Sequence, residues 1–393
     1  MIELGTLARI GERVGQLAMA EARIDLARLE RNAAIIKEKL AGRGVRLLFV
    51  VKADGYGHGA VPVALRAQAA GAEALGVANL QEALQLRQGG VDLPIIILGL
   101  PHPHHLPLLA ELGELDISIT VAGLDFARAL DREARKIGTY PKIQVKVDTG
   151  LGRIGVMAEE VLSFFRSLRQ FRHLRVEGVF SHLSVATSLK PEDREYTLRQ
   201  IDRFNDALER LDRAGLLPSQ RHIANSAGLI GYFEEVTSGY LNLVRPGILL
   251  YGYPEVEADW TESIRPVMSL HTWVVAVRSV PRGTYIGYGR SYRTTRPTRL
   301  AIIPVGYADG LDVRLSSLGE VVISGARAPI VGRISMDQTT VDVTRLRDVA
   351  VGEEVELFGD HLPATEWAER CSAPCVEVIL THLGRRVVRN YLE

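Results

Sequence analysis

Eight short apolar runs, separated by stretches with helical spacing, constrain this chain more than any other feature of its sequence. They occupy residues 45–51, 74–78, 95–98, 117–120, 143–147, 176–181, 222–224 and 241–244. Helical periodicity fills residues 80–87, 161–169 and 191–214, the last opening on Pro191 with Glu192 and Asp193 in its first turn, as helix starts prefer. Residues 24–40, ahead of the first run, read as a further amphipathic helix. Strand–helix alternation builds parallel sheets, and eight such units predict a closed (β/α)8 TIM barrel, with an open doubly wound sheet as the alternative.

The alternation stops after Tyr253. Residues 267–280 read as one long strand ended by Pro281-Arg282-Gly283, and residues 300–305, 320–324, 339–343 and 354–358 read as further strands with Gly, Asp or Pro between them. This pattern predicts a mainly β C-terminal domain with short helices near its end. The expected fold class is therefore α/β: a barrel over residues 1–253, with 1–18 as an extension packing on the β domain, and a β domain over 254–393. The border is expected within residues 252–263. The chain's 393 residues suit two such domains.

Composition removes several function classes. Lys+Arg and Asp+Glu both number 47, so the formal charge is zero and nothing suggests a nucleic-acid groove or an acidic tail. Two cysteines, Cys371 and Cys375, are too few for a disulfide framework, and two ligands do not close a zinc site, so no metal is expected. No apolar run reaches the ~18 residues of a membrane span, and the first residues resemble no signal peptide. A cytoplasmic location is the resulting default.

In a (β/α)8 barrel the site lies at the C-terminal ends of the strands. The first strand runs into Lys52 and then Ala53-Asp54-Gly55-Tyr56-Gly57-His58-Gly59. The fifth carries Lys146 and leads into Asp148-Thr149-Gly150-Leu151-Gly152-Arg153; the sixth ends in Ser181-His182, the seventh in Asn225-Ser226, the eighth in Arg245-Pro246-Gly247-Ile248. Taken singly, each has an ordinary explanation: a solvated lysine, a structural histidine, turn glycines, a strand-capping arginine. Together, at one barrel face, they favour a site. The small residues after strands seven and eight also suit a phosphate, which barrels often bind there. A phosphate at one wall and a lysine opposite is the layout that pyridoxal 5′-phosphate (PLP) requires.

These residues resemble the bacterial alanine racemases, the PLP-dependent barrel type, over about residues 22–391. The resemblance is carried by Val51-Lys52-Ala53-Asp54-Gly55-Tyr56-Gly57-His58-Gly59, by Lys146-Val147-Asp148-Thr149-Gly150-Leu151-Gly152-Arg153 and by Val244-Arg245-Pro246-Gly247. In the second domain it is carried by Tyr288-Gly289-Arg290, Gly306-Tyr307-Ala308-Asp309-Gly310 and Gly332-Arg333-Ile334-Ser335-Met336-Asp337. It implies that Lys52 forms the Schiff base with PLP and is one catalytic base. Tyr288 is implied as the other, supplied by the partner subunit of a homodimer. Tyr56, Asn225, Ser226, Gly247 and Ile248 are implied around the phosphate, His182 near the cofactor ring and Arg245 at the pyridine nitrogen. Arg153 and Met336 are implied at the substrate carboxylate, Tyr307 and Asp337 at the border of the substrate, and a carbamylated Lys146 behind Arg153. The substrate pair would be L-alanine and D-alanine, made for peptidoglycan precursors.

The chemistry agrees with these parts. PLP supplies the electron sink, and racemisation needs one base on each face of the planar carbon. Arginine has no acceptor, so Arg245 would leave the pyridine nitrogen unprotonated and disfavour transamination and decarboxylation. One position departs from the family: where a phosphate-contacting tyrosine is usual, directly before a Glu, this chain has Val376 before Glu377. That keeps a serine or broad-specificity racemase in view. A PLP decarboxylase of similar build would place a carboxylate at the pyridine nitrogen. A non-enzymatic PLP-binding barrel would lack the second domain.

Overall fold

The computed structural model describes residues 18–393, so the expected packing of an N-terminal extension falls almost wholly outside the described residues. Strand β1 (Ala20–Asp25) alternates buried and less buried positions, with Ala20, Ala22 and Ile24 turned inward. It pairs with two strands from the C-terminal part of the chain, antiparallel through Ala22–Leu270 and parallel through Ala22–Arg389. The helix read from residue 24 therefore begins at Leu26 and runs to Leu40. The period-two pattern of Ala-Glu-Ala-Arg-Ile-Asp is the strand signal that the following helical repeat obscures.

The eight apolar runs form β2 (Arg46–Val50), β3 (Ala74–Val77), β4 (Ile95–Ile97), β5 (Ile117–Val121), β6 (Lys142–Asp148), β8 (Arg175–Phe180), β9 (Gln220–His222) and β10 (Leu243–Val244), with a two-residue β7 (Val156–Met157) beside β6. They are parallel, in the order β10-β2-β3-β4-β5-β6-β8-β9. The ring closes from β9 to β10 through Asn242 N–H to Arg221 O at 3.1 Å and Arg245 N–H to Ala224 O at 3.1 Å. Helices lie between the strands, among them Leu80–Gln88, whose Asn79 cap accepts from Glu82 N, and Pro191–Arg213. The run of Ile95, Ile96 and Ile97, all buried, shows why these strands read as continuous apolar stretches: both faces are covered.

The second unit holds β11 (Met268–Trp273), β12 (Ala276–Val280), β13 (Tyr285–Ile286), β14 (Tyr292–Arg293), β15 (Thr298–Ile303), β16 (Glu320–Ile323), β17 (Ala326–Pro329), β18 (Thr339–Asp342), β19 (Glu354–Phe358) and β20 (Val388–Leu392). One sheet runs β17-β16-β19-β11-β1-β20 and another β12-β15-β18. The long strand expected over residues 267–280 is two strands in two sheets, broken at Val274-Val275. The two compact units divide between Arg265 and Pro266, later than the expected 253/254, and residues through Ala27 join the second. Asn32 accounts for the later border. Buried in the first helix, it donates to Leu250 O (3.0 Å) and Arg265 O (2.8 Å) and accepts from Arg265 N (3.0 Å), fastening residues 250–265 to the barrel.

Candidate active site

Lys52 follows β2 and opens a backbone segment of the opposite hand. Ala53, Asp54, Gly55 and Tyr56 all have φ between 52° and 60°, and Gly57 follows at 82°. A left-handed turn costs roughly 1–2 kcal/mol per non-glycine residue, so it persists only where its surroundings impose it. Here they do. Gly55 N–H reaches Val51 O at 2.9 Å, Gly59 N–H reaches Asp54 O at 2.8 Å, and the Asp54 carboxylate accepts from Ala60 N at 2.8 Å. The buried His58 imidazole donates from Nδ1 to the carbonyls of Gly55 and Tyr56, both at 3.0 Å. The turn swings Tyr56 back, so that the Lys52 Nζ lies 5.7 Å from its ring centroid and the ring packs 4.8 Å from that of Tyr251.

Deeper in the barrel a chain of buried polar groups converges on Arg245. Its Nη1 donates to His222 Nδ1 at 2.7 Å, and Nη2 donates to Ser181 O (2.8 Å), Ile223 O (3.2 Å) and His182 Nδ1 (3.3 Å). Every one of these acceptors is uncharged. Burial alone pulls the guanidinium pKa down to about 9, and it keeps its proton at neutral pH. Because His222 accepts at Nδ1, its proton sits on Nε2, facing Gln144 Oε1 at 3.4 Å; Gln144 in turn donates to Gln220 Oε1 at 2.8 Å. Gln144 and Lys146 share the inner face of β6 because strand residues alternate. A bulge between β6 and β8 brings Gly178 opposite Gln144, where a Cβ would stand 1.9 Å from Gln144 Oε1.

The predicted cations meet here. Burial, then the charges of Arg245, Lys146, Arg153 and Lys52, hold the His182 imidazole well below its usual pKa, so it is neutral. Burial, then Arg245 and Arg153, push Lys146 well below the lysine range; its Nζ lies over the Phe180 ring at 4.7 Å. Asp148 is the carboxylate acting on Lys146. Burial works against its ionisation, yet the backbone N–H groups of Gly150, Gly152 and Leu151 win and keep its pKa low. Arg245 at the floor and Lys52 and Arg153 above it offer positive charge to an anion, with the Asp148 carboxylate close to Lys146.

A cradle for that anion sits after β9 and β10. Ser226 Oγ accepts from Gly247 N (2.9 Å) and Leu249 N (3.2 Å). With both lone pairs engaged, the hydroxyl has its own proton left to give. The Asn225 side chain caps the helix Ser226–Gly231 by accepting from Gly228 N at 2.9 Å, which sets the helix start beside this cradle. Gly247 is required, since a Cβ there would lie 2.2 Å from the Tyr56 hydroxyl.

The remaining implied residues lie together in the β unit. Tyr288, Tyr307, Met336 and Asp337 line one cavity of about 970 Å³ with Arg314 and Arg333. The side chains are open to solvent: Tyr288 is 69% exposed, Met336 52% and Tyr307 47%. Tyr307 N–H to Ser335 O (3.1 Å) and Ala308 N–H to Met336 O (3.0 Å) lock the two loops. Asp337 is paired with Arg386 at 2.7 Å, which also holds the buried Asp309 at 2.8 and 3.0 Å. Val376 opens the helix Val376–Thr381 and offers no side-chain donor. The sequence reading missed His222, Gln144 and Glu82. Polar residues on alternate positions of a barrel strand, Gln144 and Lys146, were the available signal for one of them.

Comparison with known proteins agrees with this geometry. Residues 24–255 match the family "Alanine racemase, N-terminal domain" and residues 267–391 match "Alanine racemase, C-terminal domain". The alanine racemase of Geobacter sp. (strain M21) is 41% identical over 94% of this chain and 97% of its own length. The solved alanine racemase of Clostridium difficile 630 superposes with a TM-score of 0.88 at 34% identity, covering 95% and 96% of the two chains. That of Bartonella henselae, described with covalently bound pyridoxal phosphate, gives 0.83 at 30%, covering 95% of this chain and 100% of that one. These matches, over a barrel with a lysine at its mouth joined to a β domain, mark the chain as a racemase-type isomerase. This chain belongs to the alanine racemase family.

Proposed function

We propose that the chain interconverts L- and D-alanine with PLP, using Lys52 and Tyr288 as bases on opposite faces of the α-carbon. The observation that carries this reading is the convergence of Lys52, Lys146, Arg153 and Arg245 on His182, beside a serine–glycine cradle. The residues fit PLP. The Ser226 hydroxyl, Tyr56 hydroxyl and backbone near Gly247 and Ile248 would hold its phosphate, and Arg245 would face its pyridine nitrogen as a donor with no carboxylate to protonate it. PLP, when bound, supplies the electron sink that acidifies the α-C–H. Lys52 anchors the cofactor and moves a proton on one face; Tyr288 moves one on the other. Arg153 and Met336 would receive the substrate carboxylate, with Tyr307 and Asp337 at its border. The neutral amine of Lys146 is the form that adds carbon dioxide, and a carbamate there would neutralise Arg153's surroundings.

We read Tyr288 as acting in a neighbouring subunit, since it stands exposed on an open cavity ringed by Tyr307 and Met336. Incubation with L-alanine and PLP, followed by chiral chromatography, should yield equal L and D forms; unchanged L-alanine would refute the activity. Mixing inactive Lys52→Ala and Tyr288→Phe chains should restore about a quarter of wild-type activity by forming one intact site per mixed dimer. No recovery would refute the shared site. Val376, which cannot hydrogen-bond a phosphate, favours a second reading in which L-serine is also turned over, testable in the same assay. We also propose a cytoplasmic enzyme supplying peptidoglycan precursors, supported by two unpaired cysteines and checked by cell fractionation.

A further inference from the structure

Glu82 lies on a different strand-to-helix connection from Lys52, 30 residues later in the sequence, and no part of the proposed chemistry uses it. Its carboxylate nonetheless accepts from Ala53 N at 2.8 Å through Oε1 and from Ala78 N at 2.7 Å through Oε2. Ala53 is the residue directly after Lys52 and the first of the left-handed run. Glu82 is itself held, because its own N–H is capped by Asn79 Oδ1 at 3.0 Å at the start of Leu80–Gln88. One rigid helix start thus grips the backbone behind the lysine.

We propose that Glu82 is a positioning residue for Lys52, clamping the Ala53 amide so that the strained turn holds the lysine amine in register with the barrel mouth. The argument is one of acceptor count. Two backbone N–H groups, from the ends of neighbouring strands β2 and β3, need two acceptors at fixed separation. A carboxylate supplies both, whereas a carboxamide supplies one oxygen and turns an N–H₂ against the second donor. With the Ala53 amide released, the run keeps Gly55 N–H to Val51 O (2.9 Å) and Gly57 N–H to Ala53 O (3.0 Å) but loses the grip that reaches it from the neighbouring helix start, and Ala53 is freer to relax toward its ordinary right-handed or extended backbone. Lys52, the preceding residue, would turn with it. Asp54 and His58 fasten the far end of the turn and do not replace the grip at its start.

This inference rests on the reading of Lys52 as the cofactor-bearing base, and the experiment separates the two. PLP-loaded wild type and Glu82→Gln are reduced with borohydride, and the adduct at position 52 is quantified by peptide mass spectrometry beside kcat and KM for alanine. The expected result is full trapping in wild type and partial trapping in Glu82→Gln. The variant's kcat should fall by about 100-fold, as misplacement of a reacting group by about 1 Å can produce, with KM within about threefold of wild type. Wild type without an adduct at position 52 would sink the Lys52 reading and this one with it. Wild-type trapping with equal trapping and unchanged kcat in Glu82→Gln would overturn the clamp alone. Should the variant not fold, hydrogen exchange resolved to single amides in the wild-type holoenzyme decides: the Ala53 amide must be protected, and free exchange there overturns the proposal.

Discussion

The barrel mouth and the β-unit cavity contribute to one proposed reaction, yet they are built in opposite ways. Deep in the barrel the functional side chains are buried: Arg245 is 4% exposed, Lys146 2%, and the histidines beside them are held neutral, while Lys52 is half-buried and Arg153 is exposed. In the β unit the corresponding side chains stand in solvent around an open cavity on loops fixed by backbone hydrogen bonds, with Asp337 also paired through its carboxylate to Arg386. The barrel half is preorganised by its own fold. The other half is a presented surface, as expected of groups that complete a site on another molecule. Buried charge with uncharged acceptors is costly to assemble, and an enzyme tolerates that cost where electrostatics must be in place before substrate arrives.

This contrast predicts different failures on the two sides. Tyr288→Phe should lower racemisation by ~10²–10⁴-fold, the usual worth of a positioned acid–base group, while leaving PLP bound. Because Lys52 remains, one enantiomer of alanine should still exchange its α-hydrogen in deuterated water, and the other should not. Exchange of both enantiomers, measured by NMR, would show that the two faces are not served by separate residues.

The sequence made the barrel half easy to read and the other half hard, for physical reasons. Parallel strands covered on both faces leave apolar runs such as Ile95–Ile97, and strand ends then locate Lys52, Arg245 and Ser226 without a structure. β1 was hidden because its Ala20–Asp25 alternation abuts a helix whose own repeat starts at Leu26. The break at Val274-Val275 was hidden because a strand leaving one sheet for another keeps its apolar composition. Glu82 and His222 escaped because their roles depend on contacts with Ala53 and Arg245, set by neighbouring strand ends, and no local spacing encodes those.

Gly178 tests the preorganisation of the barrel without touching any group that meets substrate. Gly178→Ala would push a methyl group into the Gln144 amide, which is boxed in by Gln220 and His222. Overpacking of this kind costs about 1–3 kcal/mol. The predicted result is a lower unfolding midpoint in urea together with reduced activity. The same clash would tilt His222, and with it the acceptor that Arg245 uses. An equivalent substitution in an exposed β-unit turn, Gly325→Ala, meets no atom within 4 Å; its φ of 76° leaves only local backbone strain. Equal loss of activity in both variants would break the contrast between the two regions.

The smallest effect concerns acid. His222 is fully buried, and burial, then the charges of Arg245, Lys146 and Arg46, hold its pKa well below 6.5. Above pH 6.5 neither the folded nor the unfolded chain protonates this ring, and its full contribution to stability is present. As the pH falls below 6.5 the unfolded chain gains a proton that the folded chain refuses, so stability drains away until the depressed folded pKa is reached. The slope this adds cannot exceed about 1.4 kcal/mol per pH unit for one histidine. Replacement by asparagine, which can still accept from Arg245 but does not titrate, should flatten the acid limb of a urea-midpoint-against-pH curve below pH 6.5 and leave the curve above it parallel to wild type. A wild-type slope that persists in the asparagine variant would mean that the acid sensitivity comes from groups other than His222, with His182, also held well below its usual pKa, the next to replace.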